Sequence, residues 1–237
     1  MRYLLPEFIG MFCLVFFSGL ANIVFEHNSE GGPSSLVMGL VLLLFSVFSG
    51  ELSRGYFNPC FTLVDCLWKN ITVGATAGYL TAQLIAAFFA SALLASALPY
   101  QMISGASQLE LGWRRLSPNT DLFAVFSIEV VGSLLLFIGY QYFKDYKSFE
   151  NQGLGPVYYG LLLAALSMAS YSISGGVFNL GMVLGGIVFN ATLEKKLVGL
   201  FVGNFVGALL GKLLYIQILG PKKEVNENKT LNMLLNR

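Results

Sequence analysis

Charged residues are scarce in this chain. Asp, Glu, Lys and Arg make up 11% of its 237 residues, against about 25% in an ordinary soluble domain. Hydrophobic residues reach 55%, and the mean hydropathy is +0.68. A soluble chain of this length has too little interior to hide that much apolar surface, so lipid is expected to cover much of it. The scarcity of charge therefore predicts an integral membrane protein.

Cysteine and histidine are scarce as well. Cys13, Cys60 and Cys66 lie in apolar segments, and the one histidine, His27, lies in a polar loop. Their spacing fits neither a disulfide framework nor a metal site. Because there is also no Ser/His/Asp or Cys/His arrangement, we expect no enzymatic activity, no metal and no cofactor. A net charge of +1 and the lack of a basic stripe interleaved with aromatics lead us to expect no nucleic-acid partner.

An internal repeat is the main positive signal. The second half of the chain repeats residues of the first half about 121 positions further on. The matched pairs are Glu7 with Glu129, Gly10 with Gly132, Gly39 with Gly160, Asn58 with Asn179, and Gln83 with Asn204. Two apolar halves that each carry an Asn-bearing break are typical of pores and transporters with a site between the repeats.

The hydropathy pattern predicts six membrane-spanning helices, each near the roughly 20 residues needed to cross a bilayer. They cover residues 4–25, 34–50, 71–98, 122–143, 154–173 and 197–219. Two shorter apolar segments, 58–69 and 179–190, each begin with an Asn, a preferred helix N-cap. Because these segments are too short to span, we predict re-entrant half-helices.

Three spanning helices per half give the second half the opposite orientation. The fold class expected is an all-α membrane protein, with six transmembrane helices plus two re-entrant half-helices in an inverted repeat. Repeat 1 covers about 1–98 and repeat 2 about 120–220. They form one channel domain, 1–220, and a flexible cytoplasmic tail follows at 221–237.

The distribution of Lys and Arg indicates that both termini are cytoplasmic, because basic residues favour the inner side of a membrane. Lys212, late in the sixth helix, is expected to extend its ammonium group to the cytoplasmic interface.

Four segments together resemble the aquaporin, or major intrinsic protein, family over about residues 4–220. They are Gly55-Tyr-Phe-Asn-Pro-Cys-Phe-Thr-Leu63, Pro6-Glu-Phe-Ile-Gly10, Ala82-Gln83 and Gly207-Ala-Leu-Leu-Gly211. The first resembles the Asn-Pro-Ala box of the family but ends in Cys60. That variant resembles the unorthodox superaquaporin branch, although Val188 stands where that branch usually has a Cys.

The resemblance implies a pore centre where the two boxes meet. Its residues are Asn58, Pro59 and Cys60 in the first box, and Asn179, Leu180 and Gly181 in the second. Each Asn oxygen is expected to cap its half-helix, which leaves the amide N–H₂ group to donate to a solute. The alternative is that both are ordinary structural caps. Leu180, in place of Pro, is either harmless or narrows the lumen.

The resemblance also locates an outer selectivity filter at Met38, Ser167, Gly176 and Met182. Met182 replaces the Arg found in most of the family, so the filter is expected to be uncharged and adaptable. The alternative is that both methionines only pack.

Four further polar residues are expected to support the box loops. Glu7 and Glu129 would brace the half-helices, and Gln83 and Asn204 would join neighbouring helices by hydrogen bonds.

The function expected is passive conduction of water and of small neutral solutes such as glycerol or peroxide, in a homotetramer embedded in lipid. The alternative is a non-conducting membrane scaffold whose altered second box has closed the pore.

Overall fold

The computed structural model describes residues 2–25, 32–50, 52–97, 120–145, 154–187 and 195–219. Within these ranges every regular element is helical. The helices are α1 (Leu4–Phe25), α2 (Gly32–Ser49), α3 (Pro59–Leu67), α4 (Val73–Ala97), α5 (Leu122–Asp145), α6 (Gly155–Ser174), α7 (Leu180–Ile187) and α8 (Lys195–Leu214), which a π-helical turn extends over Tyr215–Leu219. All but α3 and α7 are long and apolar enough to cross a membrane. The six predicted spanning helices are confirmed.

The half-helix α3 begins and ends through local chemistry. Asn58 has an extended backbone, and its side-chain oxygen accepts the Cys60 N–H, while Pro59 occupies the first helical position. At the other end, Lys69 adopts a left-handed conformation with φ 59°. The N–H groups of Lys69 and Asn70 then bond to carbonyls inside the helix. This cap ends α3 at Leu67, slightly before the predicted residue 69.

The other half-helix, α7, begins in the same way. The Asn179 side-chain oxygen accepts the Gly181 N–H at 2.9 Å. The predicted end of this half-helix, near residue 190, lies outside the described residues.

The two halves pack by the same plan. In the first half α1 packs against α2 and α4, and in the second half α5 packs against α6 and α8. The central helices α2 and α6 cross at Gly39 and Gly160. A Cβ atom on Gly160 would lie 2.5 Å from the Gly39 carbonyl oxygen, so only glycine permits this approach. The crossing joins the two repeats at the centre of the bundle.

Polar and apolar side chains are distributed as lipid requires. Large apolar side chains stand on the outer faces of the spanning helices, among them Phe89, Phe123 and Ile218. Glu7 and Glu129 are instead completely buried in the interior. Ionisable groups inside a membrane face the bundle interior, where other polar groups satisfy them. The candidate functional residues therefore lie in the interior of the bundle.

Candidate functional site

Asn58 and Asn179 face each other where the two half-helices begin. The Asn58 amide nitrogen donates to the Phe178 carbonyl oxygen at 2.9 Å. The Asn179 amide nitrogen donates to the Phe57 carbonyl oxygen at 2.7 Å. Each side chain therefore caps its own half-helix with oxygen and holds the loop of the other repeat with nitrogen.

This cross-repeat contact changes one expectation. The sequence predicted that the whole N–H₂ group of each Asn stays free for a solute. An amide group carries two N–H donors, and the carbonyl of the opposite loop takes one of them. One N–H of each residue thus remains to meet a solute at the centre.

Buried carboxylates hold both loops. Glu7 accepts the backbone N–H groups of Tyr56 and Phe57, each at 2.9 Å, and it also accepts from Ser53 at 3.1 Å and from Gln83 at 2.9 Å. Four donors on one carboxylate satisfy most of its lone pairs. This loop is therefore fixed by charge-assisted hydrogen bonds.

The second repeat reproduces this arrangement. Glu129 accepts the Phe178 N–H at 3.0 Å and the Val177 N–H at 3.4 Å. Ser174 donates to the same carboxylate at 2.6 Å, and Asn204 donates at 2.8 Å. Gln83 and Asn204 thus act as equivalent donors, and both are fully buried.

Two phenylalanines before the boxes were not singled out from the sequence. Phe57 and Phe178 adopt positive φ angles of 44° and 48°, a region that bulky residues rarely occupy. Each ring lies where a Cβ atom of Gly10 or Gly132 would be, so these glycines make room for it. The strained backbone directs both carbonyl oxygens toward the opposite Asn. The sequence signal that could have identified these two residues is that Phe57 recurs as Phe178 in the internal repeat.

The remaining residues of the boxes surround this centre. Cys60 is fully buried, and Pro59 is also buried. Gly181 lies against Met11, whose methyl group occupies the place of a Cβ atom. Leu180 is partly buried and packs on the core.

Two of the four predicted filter residues touch. The Ser167 hydroxyl donates to the Gly176 carbonyl oxygen at 2.8 Å. Gly176 has φ +60°, and a Cβ atom there would lie 2.6 Å from the Ser167 carbonyl oxygen, so glycine is required. Met38 and Met182 are buried, with 0% and 2% of their surface exposed. Both methionines belong to one buried apolar cluster.

The prediction for Lys212 was wrong. Its ammonium group is buried and forms an ion pair with Asp65 at 2.9 Å. It also donates to Gln141 at 3.1 Å, and Asp65 accepts the Tyr56 hydroxyl at 2.8 Å. A buried carboxylate on α3 keeps the lysine inside, because the two opposite charges and the hydrogen bonds around them compensate for the loss of hydration. The sequence could not show that these helices meet.

A cavity of about 400 Å³ lies beside this ion pair. It is formed by the C-terminal parts of α3, α5 and α8, and its walls include Arg54, Trp68, Tyr140, Lys144 and Lys212. Tyr140 forms part of its wall and donates its hydroxyl to the Arg54 carbonyl oxygen at 2.9 Å. The cavity therefore reaches from the end of α3 toward the loop that precedes Asn58.

The family model described as major intrinsic protein matches residues 1–215. The chain belongs to this family. The family resemblance inferred from the sequence is thereby confirmed, while the superaquaporin branch stays a prediction. Membership, together with six spanning and two half-helices, makes the chain a passive transmembrane channel.

Known relatives come from several kingdoms. The chain is 28% identical to glycerol uptake facilitator protein-like 6 of Lactiplantibacillus plantarum, over 80% of this chain and 84% of the relative. It is 27% identical to aquaporin-1 of Canis lupus familiaris, over 93% of this chain and 83% of the relative. The X-ray structure of the aquaglyceroporin from Plasmodium falciparum superposes with a TM-score of 0.75 at 18% identity, covering 93% of this chain and 97% of the other. That superposition confirms the predicted fold.

Proposed function

We propose that this channel conducts water and small neutral solutes such as glycerol or hydrogen peroxide, without catalysis. The observation that carries the proposal is the Asn58–Asn179 pair. Each amide keeps one N–H after its bond to the opposite loop. At this point both N–H groups donate to the oxygen of one water molecule. That arrangement interrupts a chain of hydrogen bonds that could carry protons.

Exclusion of cations follows from the half-helices. The N-termini of α3 and α7 meet at the Asn pair, and a helix N-terminus carries a partial positive charge. That potential raises the energy of a cation or a hydronium ion at the centre, while a neutral solute is unaffected.

The outer filter is assigned to Met38, Ser167, Gly176 and Met182. The Ser167–Gly176 contact supports this assignment for two members, since it fixes a small hydroxyl and a bare backbone side by side. Two thioether side chains complete a rim without charge, which can adapt to solutes larger than water.

We also propose the assembly and orientation that the sequence indicates. The unit is a homotetramer with both termini on the cytoplasmic side. A channel domain covers 1–220, in repeats of about 1–98 and 120–220. The tail expected at 221–237 lies outside the described residues.

One observation favours a second candidate function, a non-conducting scaffold. Met38, Met182 and Asn58 expose no more than 2% of their surface. A lumen closed at both the filter and the centre would leave only the structural role.

Shrinkage of proteoliposomes under an osmotic gradient, followed by stopped-flow light scattering, separates the two functions. We expect vesicles with the protein to shrink faster than empty vesicles, and the same assay with glycerol to show solute entry. The control is the protein with Asn58→Leu and Asn179→Leu, which lacks the central donors. Shrinkage no faster than in empty vesicles would leave the scaffold as the function.

A further inference from the structure

The inverted repeat relates each position on one side of the Asn pair to a position on the other side. The same offset of about 121 residues that joins Asn58 to Asn179 can be applied to the outer filter. Its four residues Met38, Ser167, Gly176 and Met182 then correspond to Tyr159, Ser46, Gly55 and Phe61, in that order. These four mark an inner counterpart of the filter, on the side where α3 runs toward the surface.

Large aromatic rings occupy this inner position. The Phe61 ring lies 5.7 Å from the Tyr140 ring, and the Tyr159 ring lies 5.8 Å from it, measured between centroids. Tyr140 corresponds to Ser18 in the first repeat, by the offset that joins Glu7 to Glu129. Phe61 and Tyr159 thus stand where the outer filter has Met182 and Met38, and Tyr140 stands where the first repeat has Ser18.

Tyr140 is held in place from several directions. Its hydroxyl donates to the Arg54 carbonyl oxygen at 2.9 Å, and its ring lies 5.6 Å from the Tyr56 ring. Phe61 is fixed on the other side by the Phe137 ring at 4.8 Å. Rings packed on several neighbours cannot turn aside without disturbing the core.

The 400 Å³ cavity borders on the same residue. Tyr140 forms part of the cavity wall, while Phe61 lies one turn of helix beyond Asn58. The contact between the Tyr140 and Phe61 rings therefore connects the cavity wall to the first turn of α3, which begins at Asn58.

Two buried hydroxyl groups lie at positions that the repeat relates to this constriction. Within the described part of the chain, the hydroxyls of Ser18 and Ser46 are buried and have no hydrogen-bond partner. A buried hydroxyl without a protein partner is ordinarily satisfied by water. Ser18 corresponds to Tyr140, Ser46 belongs to the inner set, and a third such hydroxyl, that of Ser91, lies on α4 beside Gly185.

We propose that Phe61, Tyr140 and Tyr159 form an aromatic constriction on the α3 side of the Asn pair, and that it limits flux and solute size more than the outer filter does. The proposal rests on the proposed channel function. The repeat thus produces two unequal constrictions, a flexible outer one and a rigid aromatic inner one.

The test replaces each inner residue by its counterpart in the other repeat: Phe61→Met, Tyr159→Met and Tyr140→Ser, each in proteoliposomes. We expect glycerol permeability to rise by about tenfold, the change produced by lowering a barrier by about 1.4 kcal/mol. Water permeability should rise by a smaller factor, since water already fits. The matched control is Tyr158→Met on the same helix as Tyr159, because Tyr158 is 53% exposed on the outer face; its permeabilities should equal those of the wild type.

Wild-type conduction with no change in any of the three variants would overturn the constriction and leave the channel function standing. An equal rise in Tyr158→Met would also overturn it, because the effect would then not belong to the ring. If neither the wild type nor any folded variant conducts, both proposals fail. Should Phe61→Met not yield a monodisperse protein, Phe61→Leu removes part of the ring with less disturbance and carries the same expectation.

Discussion

The side chains of Asn58 and Asn179 each have three roles at the centre of this channel. The oxygen of each caps a half-helix, one N–H holds the loop of the other repeat, and the second N–H remains for a solute. No other uncharged side chain pairs an acceptor oxygen with two N–H donors in this way, except the longer Gln. The identity of these two residues is therefore tightly constrained.

Replacing Asn58 or Asn179 by Asp should impair both fold and selectivity. A carboxylate has no N–H for the opposite carbonyl, and it adds a negative charge near the middle of the bilayer, at a cost of about 3 kcal/mol. We expect a lower unfolding temperature, slower water flux and increased cation leak, measured on the same proteoliposomes. Asn22→Asp is the control for the charge itself, because it also places a carboxylate on a buried residue but away from the pore centre; it should leave cation exclusion unchanged. Unchanged flux and unchanged cation exclusion in both central variants would contradict the assignment of the pore centre.

A substitution at Met182 tests the assignment of the outer filter. A guanidinium group there would place a fixed positive charge and several donors in the rim, which narrows the passage around water. We expect Met182→Arg to lower glycerol permeability by about tenfold relative to water permeability, a difference of about 1.4 kcal/mol. Met182→Leu, which keeps the volume and the lack of charge, should leave the ratio unchanged. If a folded Met182→Arg protein loses both permeabilities in equal proportion, residue 182 does not line the filter.

Small residues determine how closely the helices pack, as much as large ones do. Where α2 and α6 cross, the backbones of Gly39 and Gly160 touch. Lipid offers no hydrophobic drive for helix association, so close van der Waals packing must supply it. The crossing is therefore the element contact that sets the spacing of the two repeats.

A methyl group at this crossing should destabilise the protein. A Cβ atom on Gly39 would lie 2.5 Å from the Ala164 Cβ, so Gly39→Ala forces the helices apart. We expect a loss of about 1–3 kcal/mol, the usual effect of overpacking, seen as earlier thermal unfolding in detergent. In Gly74→Ala the new methyl group meets nothing within 4 Å, so stability should be kept or slightly improved. Equal stability of the two variants would show that the crossing tolerates separation.

Across the whole molecule, the Asp65–Lys212 pair ties the first repeat to the last helix of the second. Asp65 lies on α3, and Lys212 lies near the end of α8. The corresponding positions of the opposite repeats are Gly186 and Ser91, so no such ion pair can form there. The ion pair therefore has no counterpart at the corresponding positions of the inverted repeat.

Removing one partner of this pair should cost more than removing both. Lys212→Met leaves the Asp65 carboxylate buried without its countercharge, which costs about 3–5 kcal/mol. Asp65→Asn leaves a buried ammonium group with a similar penalty. We expect the double variant to be more stable than the sum of the single changes implies, in a double-mutant cycle from unfolding midpoints. Additive single effects would indicate that the two charges do not interact.

Much of the fold could be read from the sequence because its signals are local. Each spanning helix needs only about 20 apolar residues in succession. Each half-helix is indicated by an Asn cap followed by a short apolar run. The repeat then required opposite orientations of the two halves. Glu7 and Glu129 also stood out, because an ionisable group within an apolar helix is costly and seldom idle.

The remaining features depend on which helices meet, and no local pattern encodes that. From the sequence alone, Lys212 is predicted to be an interfacial lysine. In the structure, α3 places Asp65 beside it. The second role of each Asn amide requires the Phe57 or Phe178 carbonyl of the other repeat, more than 100 residues away. Likewise, the rings of Phe61, Tyr140 and Tyr159 come from three different helices. Hydropathy determines which segments enter the membrane, whereas packing in three dimensions determines which polar and aromatic groups satisfy one another inside it.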